Sequence, residues 1–246
     1  MNTDATKSVK ELAVQIPGAA PIFEKLGIDY CCGGNLSLTE ACAKANVSVE
    51  NVLASLKSAT SEPRSNKDWS RAPLAALARH IVDTHHTYTL TETERLEKLF
   101  VKVCEVHGKR RPELLRMRTI FRDMSNDLRM HLMKEEHILF PYIAEMEQAI
   151  LQKTPVMPPA FGTLKNPVRN MMKEHDSAGE ALRELREESS NYAPPQDACV
   201  TYRELYRSLE AFEADLHQHV HLENNILFPR AIELESAPPA SPQAAS

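Results

Sequence analysis

The chain of 246 residues has little glycine and no long apolar stretch. Only 7 glycines are present, whereas alanine, leucine, glutamate, lysine and arginine are frequent, and this mixture favours helices over strands and hairpins. No apolar run approaches the roughly 20 residues that a membrane-spanning helix needs. We therefore expect an all-α fold and no membrane partner.

The chain also lacks an excess of positive charge. Its formal net charge of -5 offers no basic surface of the kind that nucleic acid requires. The opening residues, MNTDATKSVKELAVQIP, lack the basic start and apolar middle of a signal peptide, so we expect a cytoplasmic protein. The cysteines number five, and Cys31 and Cys32 are adjacent, which is atypical of a disulfide framework.

Turn-forming residues divide the sequence into two predicted helical parts. Residues 1–58 contain short helical segments broken by glycine and proline. Ser37 and Glu40 have the spacing of a capping box, which predicts that a helix begins there. The polar segment 59–72 is predicted to be a linker.

Four long helical patterns follow the predicted linker. They cover residues 73–105, 112–150, 167–189 and 198–234. This pattern predicts a four-helix bundle over residues 73–235. The last residues, 236–246, have no apolar side chain larger than proline and are predicted to be disordered.

One pattern occurs twice, on the second and fourth helices of the predicted bundle. Segments 127–141 and 215–229 share eight identities in fifteen positions at a constant offset of 88 residues. A repeated helix pair indicates a pseudo-symmetric bundle around a shared centre. The repeated prolines, Pro141 and Pro229, predict a kink in each helix because each removes a backbone hydrogen bond. Each copy also carries a histidine and a glutamate one turn apart, namely His131 with Glu135 and His219 with Glu223.

Apolar periodicity predicts which side chains point inward. Stripes with steps of three and four residues pass through His131, His175 and His219, and the stripe of the second helix ends with Ile138 and Tyr142. An ionised carboxylate inside a bundle is costly unless it is paired or bound to a metal. Two inward glutamates at matching levels therefore predict two divalent ions held by imidazole and carboxylate groups. A salt-bridged core pair without metal is the alternative, which the repeat makes less favourable.

The remaining ligand is expected on the first bundle helix, which offers His80, His85 and His86. One apolar stripe passes through His85 and another through His86, so periodicity leaves both open. On the last helix, His217 and His221 are predicted to point away from the centre. There they would face solvent or support the ligands from outside.

These residues together resemble a known family, the hemerythrin-like di-iron proteins for repair of iron centres, also described as iron-sulfur cluster repair proteins. The resemblance covers nearly the whole chain. In the N-terminal part it rests on IPGAAPIFEKLGIDYCCGGNLSLTEA, which contains a Tyr-Cys-Cys-Gly-Gly signature. In the bundle it rests on KDWSRAPLAALARHIVDTHH, HLMKEEHILFP, KEHDSAGE and HQHVHLENNILFPRA.

The resemblance implies a non-haem centre of two iron ions, bridged by carboxylates and by an oxo or hydroxo group. It selects His86 over His85 as the ligand from the first helix. The six implied ligands are His86, His131, Glu135, His175, His219 and Glu223. Cys31 and Cys32 are candidates for iron or thiol transfer, because thiolates are soft ligands for iron-sulfur centres. Packing of the small N-terminal module is the alternative role for these cysteines.

The same resemblance implies repair of iron-sulfur clusters damaged by nitric oxide or peroxide, by iron donation in a stress response. Damaged iron-sulfur proteins are then the partners, nitric oxide is an expected ligand, and a homodimer is compatible with this function. Conventional enzymatic turnover is not expected. Two other functions stay open: a cytoplasmic protein that binds, scavenges or reduces nitric oxide, and a sensory module whose N-terminal domain docks a regulator.

Overall fold

The computed structural model describes residues 4–16, 18–31, 33–59 and 68–236. Within these ranges the regular elements are helices, with one isolated antiparallel bridge between Ser8 and Ser37 and no strand. The predicted all-α class is confirmed. None of the described helices is both long and apolar enough to cross a bilayer.

Some predictions fall outside the described residues. These are Cys32, residues 60–67 of the predicted linker and residues 237–246 of the predicted tail. The domain boundaries at 58 and 73 stay predictions.

The described residues between 4 and 59 form four short helices. They are α1 (Val9–Gln15), α2 (Ala19–Lys25), α3 (Leu38–Ala45) and α4 (Val49–Ala59). The predicted capping box opens α3: the Ser37 hydroxyl accepts from the Glu40 backbone N–H at 3.2 Å, and the Ser37 N–H donates to the Glu40 carboxylate at 2.9 Å. These helices enclose an apolar core that includes Leu12, Phe23 and Leu38.

Within residues 68–236, four long helices form the bundle, and π turns interrupt three of them. The first helix comprises α5 (Leu74–Ile81), π1 (Val82–His86) and α6 (Thr87–His107). The second comprises α7 (Glu113–Lys134), π2 (Glu135–Leu139) and α8 (Phe140–Leu151). The third is α9 (Lys165–Glu188), and the fourth comprises α10 (Val200–Leu222), π3 (Glu223–Leu227) and α11 (Phe228–Ser236).

Two apolar clusters fill the bundle. One lies among α6, α7, α9 and α10, where the ring of Phe121 is 5.2 Å from that of Phe100 and 5.8 Å from that of Phe212. The other lies among α5, α8, α11 and the first turns of α9, and it includes Ile143 and Phe228. Along each long helix, the predicted ligand residues lie between the stretches that contribute to the two clusters.

Two of the π turns have a cause in the sequence. The Phe140 N–H bonds to the carbonyl of Glu135, five residues back, and the Phe228 N–H bonds likewise to Glu223. The next residue is a proline in both helices, and a proline ring clashes with the carbonyl four residues before it in a regular α-helix. A π turn relieves this clash by adding one residue to the turn.

The π turn also changes the register of the second helix. Ile138 was predicted to point inward, but its side chain is 54% exposed, whereas Leu139, Phe140 and Ile143 are buried. The prediction was wrong because it extended the α-helical period through Glu135, where the structure has a wider turn.

We expect Phe121→Ala to lower the free energy of unfolding by about 3–5 kcal/mol, because it leaves a cavity between two other phenylalanines. Urea denaturation followed by far-UV circular dichroism measures this loss. Leu115→Ala, on the same helix and 49% exposed, should change stability by less than about 0.5 kcal/mol. Equal losses in the two variants would contradict the assigned core.

Candidate metal centre

The six predicted ligand side chains meet in the middle of the bundle, and each is at most 2% exposed. They form two groups in which one donor atom of every residue lies within 4.8 Å of the others. Both glutamates belong to both groups. The first group is His86, Glu135, His219 and Glu223, and the second is His131, Glu135, His175 and Glu223.

The carboxylate of Glu223 faces both groups at once. Its Oε1 is 2.9 Å from His219 Nε2 and 3.8 Å from His86 Nε2. Its Oε2 is 3.1 Å from His175 Nε2. The two oxygens therefore point to histidines of different groups, as a carboxylate that bridges two cations would.

The carboxylate of Glu135 occupies the corresponding place on the second helix. Its Oε2 is 3.3 Å from His131 Nε2 and 3.5 Å from His86 Nε2, which again joins one histidine of each group. The Nε2 atoms of His131 and His175, which both belong to the second group, approach to 2.9 Å.

Several of these donor atoms have no well-formed hydrogen bond to any residue that the structure describes. They are both carboxylate oxygens of Glu135, Oε2 of Glu223 and Nε2 of His86. A buried polar atom without a partner costs free energy, and a buried carboxylate costs more, unless a cation is bound. Imidazole nitrogens and carboxylate oxygens are suitable ligands for divalent iron and its neighbours. The residues therefore fit a metal site.

Three of the four histidines are held in place from outside their group. Each donates its Nδ1 hydrogen to an oxygen, which directs Nε2 toward the centre, where the neutral ring offers a lone pair to a metal ion. The pairs are His86 with Glu136 at 2.8 Å, His131 with Glu174 at 2.7 Å and His175 with Asn224 at 2.9 Å.

Sequence reasoning missed these three outer partners, although the sequence contains a signal for them. Glu136 and Asn224 directly follow the repeated glutamates and occupy equivalent positions of the repeat. Glu174 directly precedes His175. Each outer partner is therefore the neighbour of a predicted ligand and supports a ligand from a different helix.

His86, and not His85, joins the two glutamates. The Nδ1 of His85 donates to Asp215 at 3.0 Å, and its ring lies parallel to that of His219 with the centroids 5.8 Å apart. His80 is farther out, partly exposed and stacked on Trp69. The role of His86 as the fourth histidine ligand stays a prediction.

His217 and His221 point away from the centre, toward the N-terminal helices rather than into solvent. The Nδ1 of His217 donates to Glu24 at 2.9 Å, and His221 is only 5% exposed. The ring of Tyr30 lies edge-on to His221 at 5.4 Å, and its carbonyl accepts from the Asn225 side chain at 3.0 Å. This part of the last helix is therefore covered by the N-terminal part of the chain.

Cys31 lies where the N-terminal part meets the bundle. It is 6% exposed and belongs to the same apolar cluster as Val220 of α10. A side chain at Gly34 would put a Cβ 2.7 Å from the Tyr30 carbonyl oxygen, so this turn has room only for glycine. The adjacent predicted site residue, Cys32, lies outside the described residues.

The protein groups alone produce unusual pKa values in the centre. Burial lowers the pKa of His86 and His131, but the nearby carboxylates, chiefly Glu135, outweigh burial and raise these values to about 10 and about 9. At His219, the effect of burial is larger than that of the Glu223 carboxylate, so the pKa of His219 is lowered. Burial would raise the pKa of both carboxyls, yet the facing histidines hold them below their usual range.

We expect metal binding near neutral pH to release protons, because His86 and His131 are protonated there and a ligand histidine must be neutral. The apparent affinity should therefore increase as the pH rises toward 9 to 10, where those two protons are lost. Calorimetric titration with Co²⁺ in buffers of different ionisation enthalpy measures the proton release. Binding without net proton release would contradict the protonation of these histidines.

Comparison with known proteins gives consistent matches along the chain. Residues 77–231 match the Hemerythrin HHE cation binding domain, and residues 5–60 match the ScdA_N domain, which is described as a domain of unknown function. The chain is 34% identical over 229 residues to the iron-sulfur cluster repair protein YtfE of Pectobacterium atrosepticum, covering 93% of this chain and 98% of that protein.

Two further relatives agree with this match. The chain is 35% identical over 231 residues to a probable iron-sulfur cluster repair protein of Haemophilus influenzae, which covers 93% of this chain and 97% of that protein. It is 37% identical over 223 residues to YtfE of Escherichia coli, with 90% and 94% covered. The chain therefore belongs to the family of iron-sulfur cluster repair proteins that carry a hemerythrin-type cation-binding domain.

Proposed function

We propose that the protein repairs damaged iron-sulfur clusters by supplying iron from a centre of two iron ions. The names of its relatives support cluster repair as the activity. The observation that carries the two-ion assignment is that two groups of donor atoms share Glu135 and Glu223. The iron is then the substrate of the reaction, and the six buried residues are its ligands.

The charge of the centre favours donation over permanent storage. Two glutamates offset only part of the charge of two ferrous ions, and the four remaining ligands are neutral imidazoles. Both ions lie in a buried site where residual positive charge is poorly solvated. The carboxylates of Glu136 and Glu174 compensate charge only from behind the histidines that they hold, so the ions have two directly bound carboxylates between them, which favours exchange.

The clients in this proposal are cytoplasmic iron-sulfur proteins whose clusters nitric oxide or peroxide has damaged. The chain has at least three free thiols, Cys42, Cys104 and Cys199, which suits a reducing compartment. In this proposal nitric oxide is the cause of the damage and a ligand that the iron can take up.

We expect wild-type protein to bind two irons per chain and to restore a client enzyme whose iron-sulfur cluster nitric oxide has damaged. Glu223→Ala should lose most of its iron and its repair activity, because this carboxylate faces both groups. Metal analysis and recovery of the client's activity measure the two effects. Glu145→Ala removes an exposed carboxylate of α8 and serves as the matched control.

The outcomes of this experiment separate the alternatives. One iron or none in wild-type protein would refute the two-ion centre. Iron-loaded protein that leaves the client inactive but consumes nitric oxide would replace cluster repair by nitric oxide handling. Protein that does neither and binds a regulator would be a sensory module.

We propose that Cys31 and Cys32 pass iron to the client. The position of Cys31 against α10 supports this role, because the adjacent Tyr30 contacts Asn225 of π3 and the thiol is thereby close to the helix that carries Glu223. A thiolate binds iron readily and is the reactive form of the side chain.

We expect the double variant Cys31→Ser, Cys32→Ser to keep the iron content and absorption spectrum of wild type but to repair the client more slowly. Repair rates at equal iron loading measure this difference, and Cys199→Ser, which changes an exposed cysteine, is the matched control. Because Cys31 is buried, the Cys31→Ala, Cys32→Ala variant tests whether loss of packing explains the result. Wild-type repair rates in both double variants would remove the thiols from the mechanism.

A further inference from the structure

The four inward histidines are held unequally on their outer sides. Nδ1 of His219 is buried and has no hydrogen-bond partner among the residues that the structure describes, whereas the other three histidines donate Nδ1 to an oxygen. When Nε2 of His219 binds a metal ion, the ring hydrogen is on Nδ1. A buried N–H without an acceptor is costly, so an acceptor for this hydrogen is expected close by.

The pseudo-symmetry of the bundle indicates where this acceptor lies. The outer partner of His131 is Glu174, which directly precedes the predicted ligand of the third helix. The corresponding residue of the first helix is His85, which directly precedes the predicted ligand there. The ring of His85 lies parallel to that of His219 with the centroids 5.8 Å apart. His85 therefore lies beside His219 as Glu174 lies beside His131, but it has an imidazole in place of a carboxylate.

Asp215 supplies the missing carboxylate. It lies one turn before His219 on α10, and its Oδ1 accepts from Nδ1 of His85 at 3.0 Å. Its Oδ2 is buried and has no hydrogen-bond partner in the described part of the chain. Glu174 is held in the same way, since Lys134 donates to one of its oxygens and leaves the other for a ligand histidine. Oδ2 of Asp215 is therefore an available acceptor on the turn next to His219.

We propose that Asp215 is the outer partner of His219, and that one bound water molecule joins its Oδ2 to Nδ1 of the histidine. Residues four apart on a helix have Cβ atoms about 5–6 Å apart, a separation at which a water can accept from an N–H and donate to a carboxylate. His85 positions Asp215 by holding the other oxygen. This inference rests on the proposed function and identifies a further residue that orients a ligand of the centre.

The alternative is that the pair of His85 and Asp215 only fastens the first helix to the fourth. The pair would then contribute to the stability of the metal-free protein but not to metal affinity. The chain offers a matched control in Asp127, which is exposed and has the equivalent position of the repeat, one turn before His131. Nδ1 of His131 already has a direct partner, so Asp127 has no ligand to orient.

The first test measures the affinity of the full-length protein for Co²⁺ at equilibrium with a competing chelator. Asp215→Asn keeps the size of the side chain but removes its charge. It should weaken the binding of one of the two ions by about tenfold to a hundredfold, the scale of outer-partner effects at metal sites, and leave the other ion unchanged. Asp127→Asn should bind both ions as wild type does.

The second test is nuclear magnetic resonance of the Zn²⁺-loaded protein with isotopically labelled histidine, which reports on each ring N–H. The Nδ1 hydrogen of His219 should receive magnetisation from water, and Asp215→Asn should shift this signal alone. His85→Phe should shift the same signal, because Asp215 is then no longer held. Glu174→Gln should shift only the signal of His131, which assigns the two histidines. A pair that only fastens two helices would change none of these signals.

Wild-type affinity for both ions and an unchanged His219 signal in Asp215→Asn would overturn the proposal, even if the metal-free variant were less stable in urea. An equal loss of affinity in Asp127→Asn would also overturn it, as a general effect of charge. If circular dichroism shows that Asp215→Asn does not fold, the His219 signal of His85→Phe decides. Wild-type protein that binds two ions but repairs no client refutes the repair function and leaves these affinities to decide the role of Asp215.

Discussion

Two ionised carboxylates buried at the same level of a helix bundle are the constraint on which the rest of this structure depends. Glu135 and Glu223 are fully buried, and each needs positive charge close by. Four histidines from four helices surround them, and residues on the outer side of three of those histidines fix their rings. Apolar clusters on both sides exclude water from the centre.

Much of the centre could be predicted from the sequence because the two glutamates lie in a repeat. The constant offset between the two segments puts His131 and Glu135 in the same position on their helix as His219 and Glu223. Periodicity alone could not choose between His85 and His86, because two apolar stripes cross that helix. In the structure, His85 donates its Nδ1 hydrogen to Asp215 and does not face the glutamates.

Other features were beyond sequence reasoning for physical reasons. The inward position predicted for Ile138 was wrong, since a helical period cannot be extended through a π turn that the pattern does not reveal. Pro141 and Pro229 indicate an irregular backbone in the second and fourth helices. No proline lies near π1 in the first helix, so the sequence has no such signal there. His217 and His221 are covered by N-terminal residues almost two hundred positions earlier in the chain, such as Glu24. A local sequence pattern carries no information about such distant contacts.

The π turns have a consequence for protein design. Each of the two turns at a glutamate adds one residue directly after the last α-helical position, so the helix beyond it is rotated by about 100° relative to an uninterrupted α-helix. In the second helix this rotation turns Leu139 and Ile143 inward in place of Ile138. In a scaffold of four regular helices, either the six ligand side chains or the two apolar clusters could point inward. Both could not do so together, because the rotation at the π turn would be missing. A designer who grafts this centre must therefore transplant the extra residue along with the ligands.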